Sequence, residues 1–138
     1  MLNRVILFGN LGKAPEFKKT QEGKDIAILS LATSFSWKGA DGEWNKHVDW
    51  HRVIVLNEPT VRWMQDVMRK GDPVYVEGKL LYKESVDKVG QKRVTANVVV
   101  GERGGRVRLM RDTKLVSINV NTDPTFEINT QPDEGESL

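Results

Sequence analysis

Cysteine is absent from the 138 residues, which rules out disulfides and thiolate metal sites and fits a reducing, cytoplasm-like compartment. No apolar run approaches the roughly 18 residues of a membrane span, so the chain reads as no membrane protein. The short apolar run in MLNRVILFGN has no small-residue cleavage site after it and reads as a first strand, not a signal peptide. Histidine is scarce. His47 and His51 lie four apart, but in a strand-like segment their backbones stand about 13 Å apart and no third ligand is spaced to join them. GNLGKA, residues 9–14, falls short of a phosphate loop: two residues separate the glycines where four are needed, and Ala14 follows Lys13. With no serine elbow and no clustered acid pair either, the chain is not expected to be an enzyme.

Positive charge is missing from one end. Residues 115–138 hold five acids and no Lys or Arg, whereas residues 1–114 hold 21 Lys and Arg against 14 Asp and Glu, a net of +7. A basic body with an acidic tail suggests an anionic partner for the body, although a solvated surface of mixed charge has the same composition.

What is present is strand-like. The segments 3–11, 25–37, 46–57, 73–85 and 92–100 are rich in β-branched and aromatic residues. Asp41-Gly42 marks a hairpin tip between the second and third, and Gly90 a turn between the fourth and fifth. Residues 16–24 read as a polar stretch turning at Gly23, and Gly78 as a kink in the fourth strand. Asn57-Glu58-Pro59 opens a helix in which Val61, Met64, Val67 and Met68 recur at helical spacing, and Lys70-Gly71 closes it. Three strands, a helix and two strands is the order of an all-β, five-stranded Greek-key barrel of the oligonucleotide-binding (OB) type, here with long hairpin extensions. The alternation at 106–110 extends the sheet, and 114–120 suggests one more short strand. The expected division is a barrel domain at 1–111 and an acidic tail at 112–138, polar and disordered after Asp123-Pro124.

Aromatics interleaved with cations are the informative constellation. Along the third strand Val48, Trp50, Arg52, Ile54 and Leu56 share one face and His51, Val53 and Val55 the other. Two arrangements satisfy this alternation. Either His51, Val53 and Val55 line the core and Trp50 and Arg52 face out, or Trp50 anchors the core. Trp37 and Lys38 end the second strand and Trp44 stands across the polar tip, where a barrel core cannot take both rings. Bases stack on such rings for about 1–3 kcal/mol each while Lys and Arg track phosphates, a chemistry indifferent to sequence. Lys79 and Lys83 share a face of the fourth strand and suit the same path; alone they read as a solvated pair.

NRVILFGNLGKAPE, LSLATSFSW, DWHRVIV and RKGDPVYVEGKL, in this order and spacing across about residues 3–100, resemble the successive blocks of bacterial and mitochondrial single-stranded DNA-binding proteins. The resemblance implies an OB fold and a homotetramer that wraps single-stranded DNA in replication, recombination and repair, without catalysis or cofactor. It implies stacking roles for Trp37 and Trp50 and DNA-facing positions for Arg4 and Lys70. Lys38, Arg52, Lys79 and Lys83 add charge along the path, and His51 is expected toward the core or a subunit contact.

The chain departs from the family pattern at three places. Leu56 stands where a stacking Phe is common, and can pack on a base but offers no π-face. Lys83-Glu84-Ser85 replaces an Arg-Lys-Trp end, leaving Trp44 or Tyr82 as possible substitutes for the missing ring. The acidic end QPDEGESL lacks the Pro-Phe that recruits replication and repair proteins, a departure that a phage, plasmid or organelle member would fit. For a bacterial member the expected place is the cytoplasm, at the nucleoid. Two other readings share the barrel: a primosome or RNA-binding accessory protein, and a protein-interaction module with little nucleic-acid affinity.

Overall fold

The computed structural model describes residues 1–111; the expected acidic tail and the strand expected at 114–120 lie outside them. The elements are β1 (Val5–Leu11), β2 (Glu16–Lys19), β3 (Asp25–Lys38), β4 (Trp44–Val55), α1 (Glu58–Val67), β5 (Pro73–Val86), β6 (Lys92–Val100) and β7 (Arg106–Leu109). Pairing runs β1-β3-β4-β6-β5 and returns from β5 to β1, so five strands close on themselves, with α1 falling between the third and fourth of them. Closure leaves less open edge than a flat sheet would expose, but the Val5–Phe8 part of β1 keeps one side unpaired among the described residues. β4 and β6 are parallel, with Val53 opposite Val98 and Val55 opposite Val100; β1–β3, β1–β5 and β5–β6 are antiparallel.

Two compact units divide the chain: residues 1–33 with 50–109, and residues 34–49 with, among the described residues beyond β7, Met110 and Arg111. The first holds the core. Leu29, Leu31, Val53, Val55, Val61, Met64, Val74 and Val76 are fully sealed there, and each such side chain contributes about 1.5–3 kcal/mol by leaving water. The helix enters this core through Val61 and Met64, with Met68 just beyond its end and Val67 packed at the margin. Asn57 caps it, its Oδ1 accepting from the Thr60 N–H at 3.0 Å, and Pro59 occupies the first turn, where no intrahelical N–H is required.

Three differences from the sequence reading have physical reasons. Residues 16–19 are a strand, not a polar stretch, paired with β3 from Glu16–Ile28 to Lys19–Asp25. EFKK carries too little β-branched character to announce itself, and its stability comes from the partner strand. The turn at Gly23 stands as expected, with φ of 83°. β5 is continuous at Gly78, where a Cβ would lie 2.7 Å from the Val99 carbonyl oxygen. That glycine serves a close approach of two strands. The helix stops at Val67, short of Lys70.

Candidate nucleic-acid interface

β4 has one face in the core and one outside it. Val53 and Val55 are sealed, which fixes the alternation: Trp50, Arg52, Ile54 and Leu56 lie on the other side. Of the two arrangements open to the sequence, the one with the tryptophan outward is the one formed. Trp50 is 61% exposed. Its ring is nonetheless placed, because it lies over Gly12, where a Cβ would come within 2.3 Å of ring carbon Cζ3. The second glycine of GNLGKA is therefore a seat for the indole, a role that no local pattern signals.

His51 points away from Trp50, half-buried, with its Nε2 2.8 Å from the Thr33 hydroxyl oxygen. A cleft beside β4 is lined by Trp50, His51 and Arg52 together with Lys13, Glu16 and Ser30. Lys13 donates to Glu16 at 3.1 Å. That bond, and then the fields of Lys13, Lys18 and Arg52, hold the Glu16 carboxyl below its ordinary value.

The outer face continues across the sheet order β4-β6-β5. Val98 and Val100 of β6 face the core, so Thr95, Asn97 and Val99 face out; Val74 and Val76 do the same for β5 and leave Lys79, Leu81 and Lys83 outward. Lys79 and Lys83 therefore share this face with Arg52. Tyr82 is on the opposite side of β5, opposite Ala96 and 68% exposed. Leu56 is half-buried, its N–H closing the ladder on the Val100 carbonyl at 2.8 Å.

Residues 34–49 carry a second set. Phe35 and Trp37, two apart and so on one face of β3, stack with ring centroids 5.8 Å apart and planes 19° apart. Both are exposed, as are Lys38 and Trp44. Phe35 was not singled out from sequence, although its spacing from Trp37 was the signal. The tip spans residues 39–43: Gly39 N–H donates to Glu43 O, Gly42 N–H to Gly39 O, and Asp41 Oδ1 accepts from Glu43 N–H, with Gly42 at φ 83°.

The cations divide into met and unmet charges. Arg4 donates to Glu77 Oε2 at 3.1 Å, and Arg106 lies 3.6 Å from the other oxygen of the same carboxylate. Among the described residues Lys38, Arg52, Lys70, Lys79 and Lys83 make no ion pair and are exposed. An unpaired, exposed cation is the kind that releases counterions when it meets a phosphate.

A closed OB-type barrel with an aromatic and cationic outer face places the chain among oligonucleotide-binding folds. Residues 2–110 match the model of the single-strand binding protein family. The chain belongs to that family, whose members bind DNA and are not enzymes. It is 41% identical over 123 residues to the single-stranded DNA-binding protein of Rickettsia conorii, covering 88% of this chain and 80% of that one. Against the protein of the same name from Rhizobium meliloti it is 38% identical over 100 residues, 72% of this chain but 58% of the relative. Among solved structures it resembles a Plasmodium falciparum SSB complex with single-stranded DNA, at TM-score 0.73 and 28% identity over 80% of this chain and 96% of that one. It also resembles a deletion mutant of the single-stranded DNA binding protein from Thermus aquaticus, at TM-score 0.65 and 25% identity, over 80% of this chain and 51% of that one.

Proposed function

We propose that this protein binds single-stranded DNA with little regard to sequence and protects it during replication, recombination and repair. The observation that carries the reading is Trp50: an exposed indole seated on Gly12 beside the unpaired Arg52, in a barrel of this family. On this reading bases stack on Trp50 and Trp37, with Phe35 stiffening the second ring and Trp44 offering a further face. Phosphates run past Lys38, Arg52, Lys70, Lys79 and Lys83, while Leu56 packs without a π contribution. Arg4 joins only if Glu77 releases it. A competition between oligo-dT, duplex DNA and RNA tests the reading: oligo-dT should win at low salt, and a preference for duplex or RNA would overturn it. Affinity should fall steeply as salt rises through counterion release.

The proposed assembly is a homotetramer built from dimers. β1 meets β3 through Asn10 and Leu11 only, so Val5–Phe8 keep one edge without a strand partner among the described residues, beside exposed Ile6 and Phe8. An unpaired edge of this kind suits pairing with a symmetry mate, and His51 is proposed near such a contact. Light scattering at micromolar protein should report four copies; a monomer would refute it. The acidic residues 121–138 are proposed to compete with DNA for the basic path, so deleting them should tighten binding at low salt, and unchanged affinity would contradict this. Docking of replication and repair proteins on this acidic end, in a cytoplasmic, nucleoid-associated setting, would have to do without the terminal Pro-Phe that the family uses for it.

A further inference from the structure

Asn97 is 5% exposed, and its Oδ1 is buried with no hydrogen-bond partner. A buried amide oxygen without a donor is unfavourable, and native proteins keep few of them. The position makes it more than a packing defect. Val98 faces the core, so Asn97 lies on the outer face of β6. Leu81 is directly opposite on β5, and the parallel register that sets Val53 beside Val98 brings Arg52 alongside on β4. Both flanking side chains are exposed, and Arg52 has no ion pair among the described residues. An oxygen waiting for a donor thus sits in the middle of the face proposed to carry bases, between strands whose outward side chains are free to turn.

Its chemistry restricts what can satisfy it. An amide oxygen only accepts. Phosphates offer acceptors alone, and deoxyribose in an internal nucleotide offers no donor. In a single DNA strand the donors are base N–H groups. We propose that Asn97 is a base-reading residue: a nucleotide bound at the Trp50–Arg52 site donates a base N–H to Asn97 Oδ1 once Arg52 turns to the phosphate. Each base carries at least one such donor, so the contact reads the base edge while remaining tolerant of sequence. The inference rests on the single-strand-binding reading above.

Thymine gives a clean probe, since N3–H is its one donor. Oligo-dT and an oligomer of N3-methylthymidine are titrated against the full-length protein and its Asn97→Val variant. The wild type should bind oligo-dT about three- to tenfold more tightly than the methylated oligomer, the size expected for one hydrogen bond. The variant should bind oligo-dT correspondingly more weakly and lose most of that discrimination, while its melting temperature stays level or rises, because a partnerless buried polar group has gone. Equal affinity of the wild type for the two oligomers overturns the proposal, and that arm needs no variant to fold. So does discrimination that persists undiminished in Asn97→Val, which would trace it to methyl bulk. If the loss appears for oligo-rU but not for oligo-dT, the donor is a ribose hydroxyl and the base contact is wrong. Binding to oligo-dT with quenched tryptophan emission but no N3 dependence sinks this inference alone; no binding to oligo-dT sinks it with the reading beneath it.

Discussion

Val74 and Val76 are sealed in the core, yet further along the same strand all six residues from Leu81 to Val86 are exposed. β3 divides in the same way, buried from Ala27 to Leu29 and at Leu31 but exposed from Ser34 to Lys38, and β6 is exposed from Lys92 to Ala96 and buried at Asn97, Val98 and Val100. One half of each strand is held by packing, and the other faces solution. In the buried half, alternation sorts side chains into core and surface. In the exposed half it sorts them into two surfaces, and the one carrying Lys79 and Lys83 is continuous with Arg52.

The division is testable because stability and binding should separate along it. The largest effect is expected in the sealed half: Leu29→Ala should cost about 2–5 kcal/mol, read as a lowered denaturant midpoint. Next comes the outer face. Trp50→Ala should weaken oligo-dT binding by about 1–3 kcal/mol, with folding stability moved by roughly 0.5 kcal/mol or less. If that variant unfolds instead, the tryptophan is an anchor of the barrel and the comparison fails. A smaller loss of affinity is expected for Gly12→Ala, whose methyl would meet the indole at 2.3 Å and tilt it off its seat; a shift in the emission maximum of the DNA-free protein should accompany it.

The smallest effect is local and depends on pH. Asp87 closes the β5–β6 turn by accepting from Gln91 and Val89 N–H and from Arg93. The backbone bond from Gln91 is the first cause that holds its pKa below the ordinary 3.8. A carboxyl lowered on folding contributes order that is present above its unfolded value and lost as pH falls through the folded one. The protection of the Val89 and Gln91 amides, measured against their intrinsic exchange rates, should therefore fall as the pH drops below about 3.8, and Asp87→Asn should abolish that dependence.

The strand order, the helix and the hairpin tips were legible because they rest on local patterns: period-two alternation, Asn57 before Pro59, glycine in the turns. The faces of β4 were legible as a pair but not as inside and outside. That choice is made by the parallel pairing with β6, where Val98 and Val100 bring their own apolar face. Contacts distant in sequence were not legible at all. Gly12 reads as a turn until Trp50 is seen above it, and Arg4 as a free cation until Glu77, 73 residues on, is seen to hold it. β2 stayed hidden for a related reason, since its lysines describe its solvent side and its partner supplies its structure.

The central claim is that the outward tryptophans are where DNA is held. It is tested most directly by following tryptophan emission while oligo-dT is added at low salt, in the wild type and in Trp37→Phe and Trp50→Phe. The account predicts strong quenching, a reduced share of it in each variant, and affinity largely retained because phenylalanine keeps a π-face. Saturation with oligo-dT that leaves the emission unchanged, or quenching that survives both substitutions in full, would contradict it.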